Sequence, residues 1–383
     1  MSVFVRKMQA LSLMATCESL FNDANFWKIL YSVHNSRDIM RKKTKEVSIG
    51  KVRIGNNNPI AIQSMTNTPT KDASRTIEQI HALEEAGCEI VRISVPDEDC
   101  VKALPEIRKN TSIPLVADIH FDYKLAIAAA KYVDKLRLNP GNIGNEEKIK
   151  AVVKEAKDRN LPIRIGVNIG SLERDIEAKL GLTAEALVAS ASRHIALLEK
   201  QDFYNIVVSL KASDVPRTIE AYRQFSEKYD YPTHVGVTEA GTLLTGSIKS
   251  ALGIGTLLQE GIGDTIRVSL SADPVQEIKV AKEILNSLRL RRFGVEVTSC
   301  PTCSRTHFDV MKIAEEIEEK TAKLKMPKHV SVMGCCVNGP GEAKEADVGI
   351  VGYENYALLY KKGKLVGKIG KEGITDEILQ NLK

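Results

Sequence analysis

The stretch DKLRLNPGNIGNEEKIKAVVKEAKDRNLPIRIGVN, residues 134–168, decides the fold. It opens on DKLRLN and closes on IRIGVN, two short runs in which apolar residues alternate with polar or cationic ones. Alternation of period two marks a strand, because successive side chains leave on opposite faces. Between the runs, Ile149, Val152, Val153 and Ala156 recur at helical spacing, as a surface helix packed on a sheet requires. Strand, helix and strand in so few residues make a parallel β-α-β unit.

The unit repeats in both directions. IAIQSM (60–65), IVRISV (90–95) and PLVADI (114–119) precede it; NIVVSLK (205–211), HVGVTEA (234–240) and TIRVSL (265–270) follow. Helical segments such as RTIEQIHALEEAG, KLAIAAAKYV and PVQEIKVAKEILNSL lie between them. Eight such strands predict an α/β fold, a (β/α)8 TIM barrel over residues 46–291. An open doubly wound sheet is the alternative, but no G-x-G-x-x-G follows the first strand. Helical character ends near Leu290, and residues 292–383 read as a smaller α+β domain. Residues 1–45 read as an extension of unclear role, with a lid, a packing arm or a targeting segment as readings and Met40 as an alternative start.

Composition narrows the function classes. The 383 residues carry 54 basic and 49 acidic side chains, a net charge of +5, too mild to argue for nucleic acid. No apolar run reaches the about 20 residues that a membrane span needs. Seven scattered cysteines form no disulfide framework and suit a reducing compartment such as the cytoplasm.

A barrel places its chemistry where its strands end. Here those ends carry Arg92 and Ser94, Asp118 and His120, Arg137 and Asn139, Arg164 and Asn168, Ser209 and Lys211, Glu239, Arg267 and Ser269. Residues two apart share a face, so the polar set points inward while Leu136, Leu138, Ile165, Val167, Val268 and Leu270 meet the helices. A structural ion-pair network explains single residues. It does not explain five cations (Arg92, Arg137, Arg164, Lys211 and Arg267) against few acids, which would be costly without an anion. A phosphorylated ligand meets that need, since guanidinium forks match phosphate oxygens. Glu239 and His120 are the candidate proton handlers, and Asp118, Asn139 and Asn168 candidate hydroxyl binders.

The second domain carries soft ligands. Cys300-x-x-Cys303 leaves one expected strand and Cys335 ends the next, so three thiolates can converge. Zinc, a redox pair and an iron–sulfur cluster are all compatible with C-x-x-C, and the third cysteine favours a metal centre. Cys336, beside Cys335 on an extended strand, would point to the opposite face and reads as a buried small hydrophobe. Glu342 lies in NGPGEA, where two glycines and a proline can bend the chain back and offer a weaker fourth ligand.

Together QSMTNTPT (63–70), ADIHFDY (117–123), RLNPGNIG (137–144), VSLKASD (208–214), GVTEAG (236–241), EGIGDTIRVSLSADPVQEI (260–278), CPTCSR (300–305) and GCCVNGPGEA (334–343) resemble the bacterial 4-hydroxy-3-methylbut-2-enyl diphosphate synthases of the methylerythritol phosphate route to isoprenoids. The resemblance runs from about residue 45 to the end of the chain, and the family often has valine where Cys336 stands. It implies an oxidoreductase with a [4Fe–4S] cluster on Cys300, Cys303 and Cys335, with Glu342 at the fourth iron. The implied substrate is 2-C-methyl-D-erythritol 2,4-cyclodiphosphate, with reduced flavodoxin or ferredoxin as electron donor and a head-to-tail homodimer as the assembly. It also implies that Arg92, Arg137, Arg164, Lys211 and Arg267 hold the diphosphate, that Ser269, Asn139 and Asn168 add hydrogen bonds, that Glu239 assists proton transfer, and that His120 lines the pocket. The rival reading is a sugar-phosphate lyase or aldolase with a structural zinc domain, in which Lys211 forms a Schiff base.

Overall fold

The computed structural model describes residues 40–120, 122–138, 146–322, 324 and 326–382. Asn139 and residues 1–39 lie outside the described residues. A two-stranded hairpin comes first, β1 (Val47–Ile49) and β2 (Val52–Ile54), turning at Gly50, whose φ of 54° is cheap for glycine. The eight expected strands follow: β3 (Ala61–Met65), β4 (Ile90–Ser94), β5 (Leu115–Ile119), β6 (Lys135–Leu138), β7 (Ile163–Asn168), β8 (Ile206–Lys211), β9 (His234–Val235) and β10 (Thr265–Ile266). They form one parallel sheet in the order β8-β7-β6-β5-β4-β3-β10-β9. A parallel bridge between Val208 and Thr233 brings the last strand back to β8, so the sheet is a nearly closed barrel.

The parity read from the sequence holds. Leu136, Leu138, Ile165, Val167 and Val268 are buried in the large core shared with the helices, and Leu270 packs against it. The hairpin has its own role. Val47, Ile49 and Ile54 cluster with Ala61, Ile90, Val116 and Val207, the first inward residues of their strands, and so plug the base of the barrel. Arg41 pairs with Asp264 at 3.2 Å and Thr44 donates to the same carboxylate at 2.9 Å, tying residues just before the hairpin to that base.

The last barrel helix, α9 (Pro274–Ser287, following α1 Ala73–Ala86, α2 Glu98–Asn110, α3 Tyr123–Ala129, α4 Glu146–Asp158, α5 Arg174–Leu180, α6 Ala184–Glu199, α7 Val215–Lys228 and α8 Leu243–Gln259), returns the chain to the base. There Arg291 donates to the Ile60 carbonyl at 2.7 Å and pairs with Glu89 at 2.6 Å. The second domain is a five-stranded sheet in the order β11-β12-β13-β14-β15: Val295–Ser299, Lys328–Met333, Val348–Gly352, Ala357–Lys361 and Lys364–Ile369. Helices α10 (Val310–Thr321) and α12 (Ile374–Leu382) bury one face of it; α11 (Gly339–Glu345) lies on the other.

Candidate functional site

The barrel interior is layered. Above the plug, Lys135 is fully buried and donates to Gln63 Oε1 at 3.3 Å; Arg164 and His234 are equally buried. A second cluster holds Arg92, Asp118, Arg137, Lys211 and Arg267, which stand near enough to act on one another electrostatically. Asp118 is its anchor. It accepts from Arg137 Nη1 at 3.0 Å, lies 3.7 Å from Arg92 Nε, and stands 3.5 Å from His120 Nε2. Burial alone would raise its carboxyl, but Arg92, His120 and Arg137 outweigh that and hold it well below the ordinary carboxylate range. Arg137 also donates to the Gly166 carbonyl at 3.2 Å and to His120 Nε2 at 2.6 Å.

Two glycines make room for these long side chains. A Cβ at Gly166 would stand 2.4 Å from Arg137 Nε, and one at Gly236 would stand 2.8 Å from Lys211 Nζ. Arg267 is held by Glu277, with both its Nε and Nη2 at 3.2 Å from the carboxylate. Glu277 also accepts from Ser64 Oγ at 2.7 Å and from the Leu270 N–H at 3.1 Å. Met65 accepts from Arg92 Nε at 3.0 Å, bridging two cations with a soft acceptor.

The interior is therefore short of acid. Arg92, Arg137 and Arg267 reach a carboxylate, whereas Arg164, Lys135 and Lys211 have none among the described residues. Burial, then neighbouring arginines, push the Lys135 and Lys211 amines well below their usual range. Arg164 Nε and Nη1 are buried with no hydrogen-bond partner. Donors stored without acceptors are what an anion site would need.

At the rim, Asn168 ends β7, Ser269 is half-buried past β10, and His120 is half-buried past β5. Glu239 is exposed in the loop after β9 with φ of 52°, a left-handed conformation that is uncommon outside glycine and clusters at functional sites. A cavity of about 330 Å³ opens beside Ser94, between the loops that follow β3 and β4, lined by Asn67, Thr70 and Asp97 among others.

The sequence reading missed Lys135, His234 and Glu277. Lys135 obeys the rule that found Arg137, being two residues earlier on the same strand. Glu277 had a signal too: it occupies a core-facing helical position beside Ile278 and Ala281, where an acid needs a partner.

In the second domain, Cys300 follows β11 and Cys335 follows β12, neighbouring parallel strands that end at the same edge. The Gly334 N–H donates to Cys300 Sγ at 3.3 Å, tying that sulfur to the turn that carries Cys335. The loop of Cys303 is fixed over the same turn. Thr306 N–H donates to the Cys303 carbonyl at 3.0 Å, and His307 N–H to the Gly334 carbonyl at 3.0 Å. Cys300, Cys303 and Cys335 are all free thiols. Among the described residues no three His, Cys, Asp or Glu side chains stand close enough together to hold a metal ion. The donor chemistry and the shared strand edge nonetheless fit a thiolate-held group.

Two expectations are corrected here. Cys335 and Cys336 lie in the turn after β12, not on extended strand, and Cys336 is exposed instead of buried. The NGPGEA segment turns back over β12 and β13 as a helix. It starts α11, with Pro340 in the first turn, where its missing N–H costs nothing, and Glu342 exposed in that turn.

A family model described as GcpE TIM-barrel domain matches residues 44–282, and one described as GcpE protein C-terminal domain matches residues 296–383. The chain is 58% identical over 346 residues to a 4-hydroxy-3-methylbut-2-en-1-yl diphosphate synthase (flavodoxin) of Caldanaerobacter subterraneus, covering 90% of this chain and 98% of that protein. The protein of the same name from Geobacillus thermodenitrificans is 56% identical over 349 residues, 91% of this chain and 93% of its own. That of Bacillus subtilis is 53% identical over 344 residues, 89% and 91% of the two chains. Among solved structures, a phospho-2-dehydro-3-deoxyheptonate aldolase of Thermotoga maritima aligns with a TM-score of 0.44 at 15% identity, over 64% of this chain and 73% of that one, too distant to bear on activity. No helix among the described residues is long and apolar enough to cross a membrane. With both halves matched in order and identity above one half to full-length relatives, the chain belongs to the GcpE family of 4-hydroxy-3-methylbut-2-en-1-yl diphosphate synthases.

Proposed function

We propose that the chain reduces 2-C-methyl-D-erythritol 2,4-cyclodiphosphate to 4-hydroxy-3-methylbut-2-enyl diphosphate, taking up two electrons and two protons and releasing one oxygen as water. Family membership supports the reaction. The observation that carries the site assignment is the acid-poor cationic interior of the barrel, in the same chain as three free thiols on one strand edge. The sugar-phosphate aldolase reading has no support among the curated relatives, although Lys211 is the buried amine it would need.

In this reading Arg92, Arg137, Arg164, Lys211 and Arg267 bind the diphosphate, and Asn139, Asn168 and Ser269 orient it. The stored donors of Arg164 find phosphate oxygens, so binding repays a desolvation already made. A bound anion favours the ammonium form of Lys211, which offsets charge on the leaving oxygen. Glu239, at the rim, holds the substrate hydroxyls and passes a proton from its carboxyl; His120, braced by Arg137, lines the same wall. Cys300, Cys303 and Cys335, with Glu342, would hold a [4Fe–4S] cluster, which when bound supplies the electrons one at a time. Reduced flavodoxin or ferredoxin is the donor, in keeping with the relatives' names.

The site is shared between two copies in a homodimer. The chain leaves the barrel at its base, where Arg291 grips Ile60 and Glu89, the end opposite the arginine mouth. A small domain tethered there is better placed to cover another copy's mouth than its own. We keep residues 46–291 as the substrate barrel, 292–383 as the cluster domain and 1–45 as an extension whose last residues brace the base, in a chain that works in the cytoplasm. The test is anaerobic turnover of the cyclic diphosphate with reduced flavodoxin, followed by mass spectrometry. Formation of the linear hydroxylated diphosphate is expected. An unchanged substrate, with cluster and donor both intact, would overturn the assignment.

A further inference from the structure

The sheet of the small domain is covered unequally. Val330, Val332, Val348, Ile350, Ala357 and Leu359 pack under α10 and α12. Among the described residues the opposite face has only the seven-residue α11, under which Ala343, Val351 and Tyr360 cluster with Tyr353 and Leu358. Beyond that helix this face is open. Register places Val351, Leu358 and Lys368 side by side on it, and the bulge at Leu359/Tyr360 leaves Leu365 and Val366 more than half exposed on the edge strand β15.

The end of β13 abuts the cysteine turn. Gly352 lies against Gly334 so closely that an added Cβ would stand 2.4 Å from the Gly334 carbonyl oxygen. Tyr353, the next residue, stacks on Tyr356 with centroids 5.1 Å apart and planes 8° from parallel, and Lys368 Nζ sits 4.4 Å over the Tyr356 ring. Val337, beside Cys336 in the turn that enters α11, is 64% exposed.

The charge here is one-sided. From Tyr356 to Lys371 the chain carries five lysines and no acid; Lys361 turns to Asn381 of α12 on the covered face, Lys368 stands on the open one, and Glu354 sits in the turn between the two tyrosines. Edge lysines by themselves guard a sheet against pairing. A lysine laid over a stacked aromatic pair, next to exposed valines and the thiol turn, has the apolar centre and charged rim of a transient interface.

We propose that this face, centred on Tyr353, Tyr356, Val366 and Lys368, docks the small electron-carrier protein, recognising an acidic rim around its exposed redox group. The inference rests on the reading of Cys300, Cys303 and Cys335 as the ligands of the redox centre, because docking here brings the carrier beside that turn. Complementary charge acts mainly on the encounter rate and weakens with salt.

The test uses the anaerobic holoenzyme with two reductants, reduced flavodoxin and the small dye methyl viologen. For the wild type, kcat/KM with flavodoxin falls as salt rises, while viologen-driven turnover does not. K368E raises the KM for flavodoxin about tenfold and leaves viologen-driven turnover unchanged. Should K368E not retain viologen-driven turnover, V366D, which alters an exposed side chain, takes its place with the same expectation. An unchanged KM for flavodoxin at low salt overturns the proposal. So does a loss of oligomeric mass on sedimentation, which would make a second copy the occupant. Failure of the wild type with both reductants would instead count against the proposed function.

Discussion

Arg137 and Cys303 stand at opposite extremes of the candidate site. Arg137 is 4% exposed and makes bonds to Asp118, His120 and the Gly166 carbonyl. Cys303 is exposed, and its position comes from backbone bonds of its loop to Thr306. The barrel half is thus fixed by buried, mutually bonded charges whose geometry is a by-product of folding. The thiol half is fixed by the bonds of two loops, of which one, from the Gly334 N–H, reaches a sulfur. Folding alone shapes the cationic barrel interior; in the proposed reading the soft ligands take their final arrangement from the group they would hold.

That contrast predicts how each half fails. Cys300→Ser should take turnover to background and deplete iron, while substrate binding and the melting of the barrel stay near wild type. Activity at normal iron content would break the comparison. Arg137→Met should be the largest stability effect, because it leaves Asp118 buried with only His120 at 3.5 Å and Arg92 at 3.7 Å. A loss of roughly 3 kcal/mol is expected in chemical denaturation, and a loss under about 0.5 kcal/mol would mean the layer is not braced as described.

Arg267→Ala should act on affinity first. Removing one charged hydrogen-bond partner of the ligand is worth about 1.5–3 kcal/mol, or roughly ten- to a hundredfold in substrate Kd by calorimetry. Lys135→Met is the smallest and has the opposite sign. Burial, then Arg164 and Arg92, push the amine well below its usual range in the fold, whereas the unfolded chain binds its proton up to about pH 10. Stability of the native chain should therefore climb as pH rises from neutrality toward that value. The methionine variant should be more stable at pH 7, by roughly 1–3 kcal/mol, and lose part of that climb. Thermal melts at pH 7 and pH 9 decide it.

Much of this was legible in the sequence, for physical reasons that also mark where it was not. All eight barrel strands show period two, and one parity rule separates Arg137 from Leu136 and Leu138. The base plug escaped because Val47–Ile49 and Val52–Ile54 are too short for a periodic signal, and their role appears only once the barrel has an end to close. Glu277 escaped because a helix residue was read by the period of its neighbours and not by its own charge. The error at Cys336 came from extending β12 through a glycine: Gly334 turns the chain, so the two cysteines do not alternate as strand neighbours do. The distance between the cysteine edge and any arginine mouth could not be read at all, since it depends on how one copy meets another.

The most direct measurement is the iron and acid-labile sulfide content of the full chain purified without oxygen, taken with its visible spectrum. About four of each per chain, with a broad absorption that fades in air, is the expected result. A colourless protein that holds zinc and no iron under those conditions would contradict the account.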